Sequence, residues 1–127
     1  MSHTFGVFLR AQRLKAGYGL REFAREVGLQ PSNLSNIEHE RIPPPVEKQK
    51  LERIASLLGL TQGAEEWSML FDLAVQGRDR PPVDVAEFAA KTPGIPMLLR
   101  TIEEKRLTQD ELTELMDYVD RIRRPAQ

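Results

Sequence analysis

The sequence predicts an all-α protein, and three observations carry that prediction. Apolar residues recur at helical spacing along most of the chain, as in Leu20, Phe23, Ala24 and Val27. Glycines and prolines punctuate those stretches at the places where helices stop or start. Near the end, Thr108-Gln109-Asp110-Glu111 has the pattern of a capping box, in which a hydroxyl and a carboxylate satisfy each other's orphan N–H groups. At 127 residues the chain suits one compact domain or a small domain with a helical extension. With 40% hydrophobic and 29% charged residues it has the composition of a folded globular protein.

The first helix is expected over Phe5 to Ala16, with Thr4 as N-cap and Gly17 as the stop. At about 100° per residue, Phe5, Phe8, Leu9, Gln12 and Ala16 share one side. Arg13 lies off the edge of that stripe, and Leu14 lies opposite it, either as an ordinary exposed leucine or as a dock for the C-terminal helices. The second helix, Leu20 to Val27, buries its apolar residues at the i, i+3, i+4, i+7 spacing, with the small Ala24 where two helices cross. Gly28 ends it in a left-handed conformation and swings the chain. The third helix follows Gln30 and opens on Pro31, whose missing N–H has no intrahelical partner at that position.

Projection of the third helix gives its two sides different tasks. Leu34 and Ile37 define the buried side; Ser32, Ser35, Asn36 and His39 fall opposite, with Asn33 at the flank. Glu38 sits at the boundary of the buried side, where a carboxylate needs a partner, and Arg13 is the candidate. Alone, the serines and asparagines read first as a solvated face, with an offered one as the alternative.

Together Arg13, Gly17, Phe23-Ala24, Gly28-Leu29 and Leu34-Ser35-Asn36-Ile37-Glu38 resemble the helix-turn-helix domain of the lambda repressor and Cro family, also called the XRE family, over about residues 4 to 60. The resemblance implies an all-α fold with a five-helix lambda repressor-like DNA-binding domain. Its third helix would read bases, its second would present its N-terminus to a phosphate, and the arginine at 13 would pair with the glutamate at 38. Two departures stand out. Leu20 replaces the glutamine that many members use to touch the DNA backbone, which leaves main-chain N–H groups near Gly19 to Arg21, or Arg21 itself. The loop after Glu38 lacks the usual glycine and runs His39-Glu40-Arg41-Ile42-Pro43-Pro44-Pro45, with Arg41 as its phosphate ligand.

A fourth helix is expected over Glu47 to Leu58, where Leu51, Ile54, Ala55 and Leu58 form a stripe before Gly59. A fifth follows Gly63, with Trp67, Leu70, Phe71 and Ala74 on one face; Trp67 reads as core, or as a dimer contact. Proline, glycine and charge break the pattern at Gly77-Arg78-Asp79-Arg80-Pro81-Pro82, which sets the domain expectation: a helix-turn-helix DNA-binding domain at 1–77 and a helical C-terminal region at 78–127 for dimerisation or partner binding. That region is read as helices over Val83 to Ala90 and Ile95 to Lys105, and a last one after Thr108. Leu112, Leu115, Met116, Val119 and Ile122 line one stripe of the last helix, while Arg121, Arg123 and Arg124 favour its C-terminal end.

Charge is unevenly spread. Residues 1 to 60 hold 9 Lys plus Arg against 6 Asp plus Glu, a net +3, and residues 61 to 127 hold 9 against 13, a net −4. The basic bias falls in the half with the offered helix. Without cysteine the chain has no disulfide, thiolate metal site or cysteine nucleophile. His3 and His39 lack metal-ligand spacing, and there is no glycine-rich phosphate loop, GxSxG elbow or HExxH, so neither a metal, a cofactor nor an enzymatic activity is expected. No segment approaches the roughly 20 apolar residues of a membrane span and no signal peptide is evident, which fits a cytoplasmic protein.

The expected function is therefore that of a sequence-specific DNA-binding transcriptional regulator, a repressor that binds a palindromic operator as a homodimer. Ser32, Asn33, Ser35 and Asn36 would contact bases and Arg21, Arg25 and Arg41 phosphates, while the stripe of Leu112, Leu115, Met116 and Val119 reads first as packing onto its own domain and, as the functional alternative, as contact with a second subunit. Dimerisation is expected because one small module covers only about 600 to 1,000 Å² on DNA. The alternative is an antitoxin-type module that holds a toxin or metalloprotease partner through its C-terminal helices and autoregulates its operon.

Overall fold

The computed structural model describes residues 4–123, which contain eight helices and no strand. They are α1 (Phe5–Lys15), α2 (Leu20–Val27), α3 (Pro31–Glu38), α4 (Lys48–Leu57), α5 (Glu65–Ala74), α6 (Val83–Lys91), α7 (Ile95–Lys105) and α8 (Gln109–Arg121). The all-α expectation holds, with boundaries within a residue or two of those read from stripes and caps. Ala16, Glu47 and Leu58 serve as caps rather than as helical residues. The readings made for His3 and Arg124 fall outside the described residues.

Two compact units divide the chain, the first ending at Glu87 and the second beginning at Phe88, inside α6. The Gly77–Pro82 break lies within the first unit. Two contacts keep this stretch attached: Val83 rests on the core, and Arg78 Nη2 donates to the Pro44 carbonyl at 3.5 Å.

In the first unit α1 packs on α3 and α5, α2 on α3 and α4, and α4 on α5. Phe23, Phe71, Leu9, Leu34, Leu51, Ile54 and Leu70 are the largest side chains wholly removed from water. Full burial of each such side chain contributes about 1.5 to 3 kcal/mol, so the fold rests on this cluster. Trp67 is half-buried against the core with its ring centroid 5.0 Å from that of Phe71, and its indole N–H is buried without a partner.

Helices α1, α2 and α4 stop in the same way. Gly17, Gly28 and Gly59 take left-handed φ values of 83°, 86° and 72°, which glycine adopts without a Cβ clash. The next residues, Tyr18, Leu29 and Leu60, return their N–H groups to the carbonyls of Arg13, Ala24 and Ala55 at 3.1, 2.8 and 2.9 Å, and pack their side chains on the core.

The second unit is built differently. Thr108 and Glu111 form the capping box in both directions, with N–H to Oε1 at 2.9 Å and N–H to Oγ1 at 3.1 Å, which fixes the start of α8. Yet no described residue from Phe88 onward is buried.

Candidate nucleic-acid interface

The turn between α2 and α3 is set by three residues. Gly28 ends α2, Gln30 is extended as N-cap, and Pro31 starts α3 with its φ already helical. α3 then buries Leu34, Ile37 and Glu38 and leaves Pro31, Ser32 and Asn33 exposed.

Glu38 is 5% exposed and Arg13 6%. Arg13 Nε donates to Glu38 Oε2 at 2.7 Å and Nη2 to Oε1 at 3.0 Å, a bidentate pair, while Nη1 donates to the Tyr18 carbonyl at 2.9 Å. The hydrogen bond to Glu38 raises the Arg13 pKa, with burial opposing and the carboxylate charge adding to the rise. One guanidinium thus ties α1, the end of α3 and the turn before α2. A buried pair of this kind contributes little net stability, but losing one partner strands a charge. Its work is to fix where α3 sits.

A second device at the same crossing is Gly6 in α1. A Cβ there would lie 2.5 Å from the Ile37 carbonyl oxygen and 2.6 Å from that of Glu38, so only hydrogen fits between the two backbones. The sequence reading did not single out Gly6. The available signal was a glycine inside an otherwise apolar-periodic helix, where it costs about 1 kcal/mol relative to alanine.

The four serine and asparagine side chains proposed for bases share α3 but differ in exposure. Ser32 and Asn33, in the first turn, are exposed; Ser35 and Asn36 are half-buried. The end of α3 explains Asn36. The chain returns over the last turn, and the Asn36 carbonyl accepts the N–H of Arg41 at 2.8 Å and that of Ile42 at 3.4 Å. This is the same stop used by α1, α2 and α4, but the left-handed position is Glu40, with φ of 63°, and the residue after it is the exposed Arg41 in place of a core-packing side chain. A charged pair thus occupies a turn that elsewhere carries glycine and an apolar anchor. His39, also exposed, has Nδ1 2.8 Å from the Ser35 carbonyl; because that oxygen only accepts, Nδ1 is the donor.

Arg21 and Arg25 stand exposed on α2, one turn apart. Leu20 turns to the core, and Gly19 caps α2 without a side-chain bond, so the first N–H groups of that helix have no capping side chain. Arg53, which the sequence reading passed over, reaches from α4 to Glu26, with Nε to the backbone carbonyl at 3.1 Å and Nη2 to Oε2 at 3.2 Å. It ties α4 to the C-terminal end of α2.

A family profile described as a helix-turn-helix domain matches residues 4–67, from the N-cap of α1 into the first turn of α5. The chain belongs to the helix-turn-helix domain family. It is of the lambda repressor and Cro type, and its family is one of DNA-binding transcription regulators. No curated protein and no solved structure matches the chain. The match includes the Arg13–Glu38 brace and the α2–turn–α3 unit and stops short of α6, α7 and α8. Among the described residues no cluster of three or more His, Asp or Glu side chains is placed to hold a metal ion, and no helix is long and apolar enough to cross a membrane.

Proposed function

We propose that the protein is a repressor that binds a palindromic operator as a homodimer, with α3 of each copy in the major groove. The observation that carries this reading is α3 itself: its inward residues are locked by Arg13 and Gly6 while Ser32 and Asn33 stay exposed and Ser35 and Asn36 are only half-buried. Asparagine bonds an adenine edge through N6 and N7, and serine serves any base less selectively. Arg21, Arg25 and Arg41, with the uncapped N-terminus of α2, supply contacts to phosphates. Residues 1–77 are assigned to DNA and 78–127 to association. Two modules about 34 Å apart match successive turns of the duplex on one face.

Selection of bound sequences from random DNA by the full chain tests this. A palindromic consensus is expected. On that consensus Asn36→Ala should lose about 1 to 3 kcal/mol of affinity while keeping its affinity for random DNA. Arg41→Ala should weaken both alike and reduce the log–log salt slope by about one unit. A selection without enrichment would end the reading.

The uncovered helices of the second unit favour one other reading, an antitoxin-type module that holds a toxin or metalloprotease there and represses its own operon. A stable one-to-one complex with the product of an adjacent gene would establish it.

A further inference from the structure

Helices α7 and α8 carry the apolar stripes of core helices but have no core. Met97, Leu98 and Leu99 of α7, Met116 and Val119 of α8, and Ile122 just beyond it are each 47 to 67% exposed. On α8 the stripe begins half-buried at Leu112 and Leu115 and continues uncovered through Met116 and Val119, with the exposed Ile122 at the C-cap. Short helices are marginal in water unless an amphipathic face is packed, so this surface requires a cover.

We propose that the cover is the same surface of a second copy of this chain, with the two α8 helices side by side and antiparallel. The inference rests on the homodimer reading above and specifies its surface and direction. Charge selects both. Along α8, Asp110, Glu111, Glu114 and Asp117 come first, and Arg121 and Arg123 stand at the far end, after Asp120. An antiparallel copy sets each acidic start beside a basic end, twice by symmetry, and also opposes the helix dipoles favourably; a parallel copy would set acid beside acid. From Phe88 to Gln127 the chain holds seven Lys and Arg and seven Asp and Glu, so the region as a whole offers no complement to a strongly acidic or basic partner. Its complement is its own sequence reversed. Such a contact is isologous, and its two-fold axis suits a palindromic site.

Area requires α7 to take part. A stable protein interface covers about 800 Å² on each partner, more than the face of one helix about 20 Å long provides. With Leu98 and Leu99, which share a face of α7 with Ile95 and Ile102, added, two chains contribute four helices around a shared interior.

The chain contains no cysteine, so single introduced thiols report on direction without background. The full chain is tested by sedimentation equilibrium, and single-cysteine variants by a thiol-specific bifunctional reagent spanning about 10 Å, the separation of packed helices. The native chain should sediment as a dimer, and Met116→Cys and Val119→Cys, both near the middle of the stripe, should link to themselves. Asp110→Cys should link to itself at least about tenfold more slowly than it links to Arg123→Cys in a mixed sample, because the two ends of α8 are about 20 Å apart. Faster self-linking of Asp110→Cys would show a parallel pair, and a dimer in which neither midpoint variant links would place the interface elsewhere; either overturns this inference and leaves the homodimer standing. A monomer at every concentration would overturn both.

Discussion

The two units of this chain use the same sequence device to different ends. In α2, α4 and α5 an apolar stripe at helical spacing disappears into a shared core; in α7 and α8 the apolar stripes are at most half-buried. Periodicity therefore determines that a helix forms and which face it offers, and says nothing about what receives that face. Receipt depends on whether other helices of the same chain are arranged around it. In the first unit five helices cross one another; in the second no such set is present among the described residues.

The largest contrast should come from deleting one side chain in each unit. Glu38→Ala leaves Arg13 charged and buried, and should lower the unfolding free energy measured in urea by about 3 to 5 kcal/mol. Val119→Ala in dilute solution should change it by less than about 0.5 kcal/mol. Similar losses at the two sites would mean that the second unit is packed after all, and would abolish the contrast.

A smaller effect sharpens the picture within the first unit. A non-glycine residue held in the left-handed region costs about 1 to 2 kcal/mol. Glu40→Gly makes the end of α3 like those of α1, α2 and α4, and should raise stability by about 1 kcal/mol, seen as a higher thermal midpoint. No gain would indicate that the Glu40 side chain offsets its own strain.

The smallest effect concerns Asp72, near the end of α5. Partial burial, and secondarily the charge of Asp84, raise its pKa. A carboxyl whose folded pKa is raised contributes stability below its unfolded value of about 3.9 and loses it as pH rises through the folded value. Asp72→Asn should therefore stabilise the protein near pH 7 by about 0.3 kcal/mol, a figure kept low for solvent screening at this exposed position. The gain should vanish below about pH 4. A gain that persists in acid would assign it to helix propensity instead.

What the sequence made legible follows from the range of the forces involved. Helix limits were readable because stripes and caps act over one or two turns, as at Thr108 and Glu111. The partnership of Arg13 with Glu38 was readable because a carboxylate near a buried stripe has few ways to be satisfied. The half-burial of Asn36 was not, because it depends on the left-handed turn at Glu40, and a glutamate gives no notice of that conformation. Nor was the attachment of Arg78 and Val83 to the first unit, since a proline- and glycine-rich break marks where a pattern stops and not where contacts do. Gly6 escaped for the same reason: its use appears only when another backbone, some thirty residues along the chain, arrives against it.

That contact makes α3 a lever. With the wholly buried Leu34 as pivot, its longer arm ends at the Ile37 and Glu38 carbonyls against Gly6, and its shorter arm carries Ser32 and Asn33. A methyl at position 6 would need those carbonyls to retreat by about 1 Å to reach ordinary contact, and over an arm of about 5 Å this is a tilt of about 10°. The first turn would swing by about half an ångström, enough to worsen the geometry of a hydrogen bond to a base edge. Gly6→Ala should thus blunt sequence discrimination without altering any side chain assigned to bases or phosphates.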